Sequence, residues 1–144
     1  MRPARFASRF VRATVLAILG ASIVTCATNP VTGRRELAFV SESQEIQMGR
    51  EYSGQVAQEM GVYPDSGLQG YVSRIGTEMA VLTERPKLPW TFTVMDDPQV
   101  NAFALPGGYI FVTRGILTHM NSEAELASVL GHEIGHVTAR HSVQ

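Results

Sequence analysis

The sequence predicts an α+β fold in which helices come before and after a small sheet. Apolar residues recur at helical spacing within residues 41–61 and 66–82. Between residues 90 and 113 the spacing changes to a period of two, which is typical of half-buried strands. The helical spacing then returns from about residue 122 to about residue 141. We therefore predict one α+β domain over residues 41–144.

The first 25 residues have the composition of a signal peptide. Arg2, Arg5, Arg9 and Arg12 form a positively charged start, and residues 13–25 are an uncharged, mostly apolar run. Because a membrane-spanning helix needs about 20 apolar residues, we favour a signal peptide at 1–25 over a permanent transmembrane anchor.

Cys26, the only cysteine, follows this apolar run, so the chain has no internal disulfide. The tetrapeptide Ile23-Val24-Thr25-Cys26 resembles a bacterial lipobox, whose cysteine is acylated and becomes the first mature residue. Thr25 departs from the Gly, Ala or Ser that this pattern prefers, so a plain cleaved signal and an uncleaved leader remain alternatives. Lipidation at Cys26 would anchor the protein to a membrane without spanning it.

The charge balance of the remaining chain argues against a nucleic-acid partner. Four of the 12 basic residues and none of the 13 acidic residues lie in the leader, which leaves residues 26–144 with a net charge of −5. No basic stripe remains for phosphates to bind.

The first helix follows a tether. Residues 26–40 contain turn-forming residues without periodicity, so they predict a link between the anchor and the domain. Ser41 with Gln44 predicts a capping box at the start of the first helix, which should end at Gly61.

A second helix and three strands come next. Ser66 with Gln69 predicts another capping box, and Pro86 ends this helical region. We predict strands near residues 90–95, 100–105 and 109–113, the last two joined by the turn Pro-Gly-Gly at 106–108. The acidic pair at 96–97 is interpreted as a solvated turn rather than as metal ligands.

The last predicted helix carries the sequence His-Glu-Ile-Gly-His at 132–136. Positions i and i+4 of a helix point the same way, about 6 Å apart along the axis, so His132 and His136 can hold one zinc ion. Glu133 lies on the neighbouring flank, where it can reach a water bound to that ion. The competing interpretation is two surface histidines with a glutamate between them.

The surrounding sequence favours a helix at this motif. Ser122 with Glu125 predicts a capping box. Gly131 and Gly135 each cost about 1 kcal/mol relative to alanine inside a helix, so we expect close backbone approach along their face.

Three segments together resemble the zinc metallopeptidase family of the CAAX prenyl proteases, and within it the exported bacterial lipoprotein peptidases of envelope quality control. They are residues 101–117, with Asn-Ala-Phe-Ala-Leu-Pro-Gly-Gly at the start, residues 123–127, and residues 132–141, which read His-Glu-Ile-Gly-His-Val-Thr-Ala-Arg-His. The resemblance implies a zincin-like α+β fold. It also implies that the strand around 108–113 forms the edge of a cleft, where an extended substrate adds as a β-strand.

The resemblance also implies a site and an activity. His132 and His136 would hold Zn²⁺, and Glu133 would act as the general base toward the metal-bound water. We expect a metalloendopeptidase that hydrolyses misfolded or unassembled envelope proteins, exported to the periplasm and attached to the outer membrane. A chaperone-like envelope assembly factor that uses the same cleft without chemistry is the alternative, and a structural domain whose histidines bind no metal is a third.

The third protein ligand that a catalytic zinc ion needs is missing from the pattern. The metzincin motif would require Gly at 139 and His at 142, where this sequence has Ala139 and Ser142. On a continuous helix His141 is rotated by about 140° from His136, so we expect it to face away from the metal. The family resembled here takes its third ligand, a glutamate, from a later helix. We therefore expect that ligand beyond residue 144, and little peptidase activity from residues 26–144 alone.

Overall fold

The computed structural model describes residues 27–28, 35–36 and 40–143. Two short strands are followed by two long helices, three strands and two more helices. In chain order the elements are β1 (Ala27–Thr28), β2 (Arg35–Glu36), α1 (Glu42–Met60), α2 (Ser66–Ala80), β3 (Thr91–Met95), β4 (Ala102–Leu105), β5 (Tyr109–Thr113), α3 (Arg114–Leu117), α4 (Glu123–Thr138) and a 3₁₀ turn (His141–Val143). The predicted α+β class is confirmed.

The N-terminal predictions fall largely outside the described residues. The predicted signal peptide at 1–25 and Cys26 lie there entirely. Within the predicted tether at 26–40, β1 and β2 pair antiparallel, with Ala27 opposite Glu36 and Thr28 opposite Arg35. Strands of two residues are too short to produce a periodic sequence pattern, so neither strand was predicted. No helix within residues 40–143 is long and apolar enough to cross a bilayer.

Helix α1 begins as the sequence predicts. The Ser41 hydroxyl accepts a hydrogen bond from the Gln44 backbone N–H at 3.3 Å, and the Gln44 side chain accepts one from the Ser41 backbone N–H at 2.8 Å. These two bonds form the predicted capping box. The helix ends before Gly61, whose φ of 76° lies in the left-handed region that favours glycine.

Helix α2 begins differently from the prediction. Its N-cap is Asp65, whose carboxylate accepts a hydrogen bond from the Leu68 N–H at 3.0 Å, and Ser66 is the first helical residue. Gln69 does not complete a capping box. Its side-chain amide instead donates to the Val94 carbonyl at 2.8 Å and accepts from the Val94 N–H at 2.9 Å. An aspartate one position earlier is an equally good cap, which leaves Gln69 free to bond to β3.

The three long strands form a sheet in the order β3-β5-β4. Strand β3 is parallel to β5, and β4 is antiparallel to β5 through the predicted hairpin. The strand at 109–113 is therefore central, with both neighbours present and all five residues buried. The expectation that it forms a cleft edge is wrong, because β3 occupies the side of β5 that a substrate would need. Of the two strands of the hairpin, β4 and β5, the one at the edge of the sheet is β4.

The main core fills the space between the sheet, α2 and α4. Its buried members come from all three parts: Val72, Ile75, Ala80, Leu88, Phe92, Val94, Ile110, Val112, Leu126, Leu130, Ile134 and Val137. Four of them lie on α4, so the apolar stripe of that helix faces the sheet. This packing fixes the orientation of the opposite flank, which carries the two histidines.

Helix α4 starts at the predicted N-cap, Ser122, but the predicted capping box is incomplete, because the Glu125 carboxylate accepts from the Asn121 N–H at 2.7 Å and not from the Ser122 N–H. The helix also ends earlier than predicted. The Ser122 hydroxyl accepts a hydrogen bond from the Glu125 N–H at 3.3 Å. The helix ends at Thr138, and Arg140 has a φ of 61°. Of the two glycines expected to need close approach, only Gly131 does, since a Cβ there would lie 3.1 Å from the Met79 side chain. A Cβ on Gly135 would meet nothing within 4 Å, so that expectation is wrong for Gly135.

Candidate metal centre

The two histidines of the motif point at the same place. The Nε2 atoms of His132 and His136 lie 3.0 Å apart, and the two ring planes are 87° from parallel. Two nitrogens bound to one tetrahedral zinc ion at 2.0–2.1 Å would lie about 3.3 Å apart. A shift of a few tenths of an ångström therefore lets both nitrogens bind one zinc ion, so this pair fits the metal that the sequence implied.

Glu133 and His132 share a cleft beside the edge of the sheet. The cleft has a volume of about 400 Å³ and lies between the beginning of β4, helix α3 and helix α4. Glu133 as a whole residue is only 8% exposed, and it lines the wall of this cleft. The lining residues are Val100, Asn101, Ala102, Ile116, Ser128, Val129, His132 and Glu133. The first residue of β4, Ala102, therefore lines the same cleft as Glu133.

No third ligand joins the histidine pair within the described part of the chain. Among those residues, no group of three or more His, Cys, Asp or Glu side chains is placed to hold a metal ion. Of the two aspartates at 96–97, Asp96 pairs with Arg114 at 2.6 Å and Asp97 accepts a hydrogen bond from the Gln99 N–H at 2.7 Å. They are turn residues, as the sequence indicated.

The sequence had led us to expect that His141 faces away from the histidine pair, and this expectation is wrong. Its Nδ1 lies 2.8 Å from the Nδ1 of His136, with the two ring centroids 5.0 Å apart. The prediction assumed a helix that continues to residue 141. Because the helix ends at Thr138 and Arg140 adopts a left-handed conformation, the chain turns back and the rotation of about 140° no longer applies.

A buried ionic cluster at the end of α4 was not predicted. Glu45 is 1% exposed, and its carboxylate pairs with Arg85 at 2.7 Å and with Arg140. Arg85 also donates to the Val137 carbonyl at 3.0 Å, and Arg140 donates to the Val40 carbonyl at 2.6 Å. The cluster thus connects the beginning of α1 with the last turn of α4.

The two positive charges of this ionic cluster of Glu45, Arg85 and Arg140 are balanced by negative charge around them. Two guanidinium groups lie near the carbonyl end of α4, where the helix dipole is negative, and they share one carboxylate. A sequence signal did exist, since Glu45 lies on the same helical stripe as Gly49, Tyr52 and Val56. A charged residue in that position needs a buried partner, but the spacing alone does not identify which one.

A helix with the H-E-x-x-H motif beside the edge of a small sheet, with convergent imidazoles and a glutamate in the adjoining cleft, defines the zincin class of metallopeptidases. The chain belongs to peptidase family M48, whose family model matches residues 66–144. The family resemblance and the zincin-like fold inferred from the sequence are both confirmed.

Several relatives are similar to this chain over most of its length. A putative beta-barrel assembly-enhancing protease of Vibrio cholerae is 39% identical over 98 residues, 68% of this chain and 20% of the relative. The mitochondrial metalloendopeptidase OMA1 of Schizosaccharomyces pombe is 38% identical over 120 residues, 80% of this chain and 35% of the relative. The beta-barrel assembly-enhancing protease of Escherichia coli is 32% identical over 114 residues, 79% of this chain and 23% of the relative. The chain thus spans between a fifth and about a third of these relatives' lengths.

Proposed function

We propose that this protein is a zinc-dependent metalloendopeptidase of the bacterial cell envelope that hydrolyses peptide bonds of proteins. The observation that carries this proposal is the convergence of the His132 and His136 Nε2 atoms to 3.0 Å beside a cleft that Glu133 also lines. Membership of a metallopeptidase family supports it, as do relatives named as proteases and metalloendopeptidases.

The residues would divide the work in the following way. His132 and His136 would hold the zinc ion, which would supply Lewis-acid chemistry at the scissile carbonyl. Glu133 accepts the proton of the attacking water and delivers it to the leaving amine. Its position in the cleft that His132 also lines supports this role. We propose that the third protein ligand, a glutamate, lies outside residues 40–143.

The sheet offers one edge where a substrate peptide can bind. The outer edge of β3 is occupied at Val94, because the Val94 backbone is bonded by the Tyr63 N–H at 2.9 Å and by the Gln69 side chain. Within residues 40–143 no other strand pairs with the outer edge of β4. An extended peptide added to β4 would be held mainly by backbone hydrogen bonds, which tolerate many sequences and select unfolded chains.

The register of the hairpin identifies the backbone groups available on that edge. The Thr113 N–H donates to the Asn101 carbonyl at 3.0 Å, so this pair is hydrogen-bonded across β4 and β5. Because hydrogen-bonded and non-hydrogen-bonded pairs alternate in an antiparallel ladder, the polar backbone groups of Ala102 and Ala104 point away from β5. These are the groups that we expect to bond to a substrate strand.

The place of action follows from the predicted leader. We propose that residues 1–25 direct export, that Cys26 is acylated, and that the protein acts at the periplasmic face of the outer membrane on misfolded or unassembled proteins. No nucleic-acid partner is expected. Mass spectrometry of the membrane fraction tests the anchor: a diacylated N-terminal cysteine is expected, and an intact leader or an unmodified N-terminus would contradict it.

The catalytic proposal is tested by Glu133→Gln in the full-length protein, with Glu59→Gln as the control. Glu59 is exposed on α1, outside the cleft. Loss of a general base lowers the rate about 10²–10⁴-fold, so casein hydrolysis should fall by that factor in Glu133→Gln and stay unchanged in Glu59→Gln. Both variants should keep their zinc. If Glu133→Gln removed no activity, the mechanism would be wrong. If Glu133→Gln preserved cellular function without hydrolysis, the chaperone-like alternative would gain support.

A further inference from the structure

We propose that His141 is a positioning residue that orients His136 toward the metal by accepting a hydrogen bond from its Nδ1–H group. This inference rests on the proposed zinc site. It concerns a residue that the H-E-x-x-H motif does not include.

The His136 ring has a partner at each nitrogen. Its Nε2 lies 3.0 Å from the Nε2 of His132, and its Nδ1 lies 2.8 Å from the Nδ1 of His141. The two nitrogens of an imidazole point in different directions, so His141 lies on the side of His136 that is turned away from His132. His141 is therefore not a third ligand of an ion held between His132 and His136.

The chemistry of a metal-bound imidazole assigns the donor in this contact. A neutral histidine that binds a metal through Nε2 carries its proton on Nδ1, and this N–H needs an acceptor that fixes the ring. The Nδ1 of His141 is at hydrogen-bonding distance, so it is the acceptor and His141 carries its own proton on Nε2. A ring fixed in this way keeps the Nε2 lone pair of His136 directed at the metal position.

The position of His141 depends on the ionic cluster of Glu45, Arg85 and Arg140. The Arg140 side chain is 14% exposed, because it is turned inward to pair with Glu45. Its left-handed backbone, with φ at 61°, begins the 3₁₀ turn closed by a hydrogen bond from the Val143 N–H to the Arg140 carbonyl at 3.1 Å. Without this turn the helix would continue and carry the His141 ring away from His136.

Substitutions at His141 separate a hydrogen-bond acceptor from a simple packing residue. In the full-length protein, His141→Asn places a carbonyl oxygen where the histidine has Nδ1, whereas His141→Phe keeps a ring and removes the acceptor. His141→Ala is a second variant without an acceptor, for use if the phenylalanine is not tolerated. His119→Phe is the matched control, because His119 is an exposed histidine outside the cleft.

The readout is the dissociation constant for zinc, measured by competition with a chromophoric chelator, together with the urea midpoint of the metal-free protein. Loss of an outer-sphere partner weakens metal binding about 10–100-fold, which we expect for His141→Phe and His141→Ala. His141→Asn should remain within a few-fold of wild type, as should His119→Phe. Unfolding of the metal-free protein should differ little between His141→Asn and His141→Phe.

Two results would overturn the inference. One is an unchanged zinc dissociation constant in both variants without an acceptor. The other is an equal loss in His141→Asn and His141→Phe, which would indicate packing rather than hydrogen bonding. Either result leaves the proposed peptidase function standing as long as wild type binds zinc and Glu133→Gln abolishes hydrolysis. Absence of zinc from wild type would instead refute the proposed function itself.

Discussion

Replacing Glu45 by glutamine should destabilise the protein far more than the same replacement at Glu42. Both carboxylates contact the same Arg85 nitrogen, at 2.7 Å and 3.0 Å. They differ in burial: the Glu45 side chain is 1% exposed and the Glu42 side chain is 59% exposed. The pair of variants therefore isolates the effect of burial on an ion pair with one shared partner.

The expected magnitudes follow from this difference. Removing one partner of a buried ion pair costs about 3–5 kcal/mol, and here the guanidinium groups of Arg85 and Arg140 would lose the one buried carboxylate that they share. An exposed pair contributes only about 0.2–1 kcal/mol. With a urea m-value of about 2 kcal/mol/M, Glu45→Gln should lower the unfolding midpoint by about 1.5–2.5 M, and Glu42→Gln by at most about 0.5 M.

Urea unfolding of the metal-free protein, followed by far-ultraviolet circular dichroism, measures both midpoints. We expect the m-values to be unchanged, since neither substitution alters the surface exposed on unfolding. Equal midpoints for the two variants would refute the reasoning. They would show that Arg85 and Arg140 are well accommodated without the Glu45 charge, and that the ionic cluster does not hold α1 against the end of α4.

Three further predictions concern packing and one surface tyrosine. Gly49→Ala should destabilise the protein, because its Cβ would lie 1.9 Å from a backbone oxygen of the hairpin turn. Gly54→Ala should stabilise α1 by about 0.5–1 kcal/mol, because nothing lies within 4 Å of its Cβ. Thermal unfolding of both variants measures the two changes in stability. Leu130→Ala should cost about 2–5 kcal/mol in urea unfolding, because Leu130 is 0% exposed in the core; a loss below 1 kcal/mol would contradict its place there. The hydrogen bond to the Glu123 carboxylate raises the pKa of Tyr71 above its ordinary value of 10.0. Any stability that this hydrogen bond gives is present below pH 10.0 and is lost as the pH rises through the raised pKa. Glu123→Gln should lower the titration midpoint of Tyr71 measured by NMR.

The parts of the fold that the sequence predicted are those set by local spacing. The caps at Ser41 and Ser122, the hairpin turn at 106–108 and the pairing of His132 with His136 all involve residues within a few positions of one another. Such features follow from helix and strand geometry alone.

The features that the sequence did not predict depend on distant partners. Gln69 bonds to Val94, 25 residues away, and Glu45 pairs with Arg85, 40 residues away. The order of the strands, which makes β4 the edge and β5 the centre, depends on such distant pairing as well. The early end of α4 has the same origin, because the Arg140 side chain bonds to Val40 and Glu45 at the beginning of α1. Periodicity carries no information about these partners.

The zinc content of the untagged full-length protein tests the central claim most directly. Metal analysis should compare wild type with His136→Ala and with His119→Ala, which removes a histidine outside the cleft. We expect about one zinc ion per chain in wild type and in His119→Ala, and almost none in His136→Ala. Wild-type protein without zinc, or zinc retained equally by His136→Ala, would contradict the metal centre and the peptidase function that depends on it.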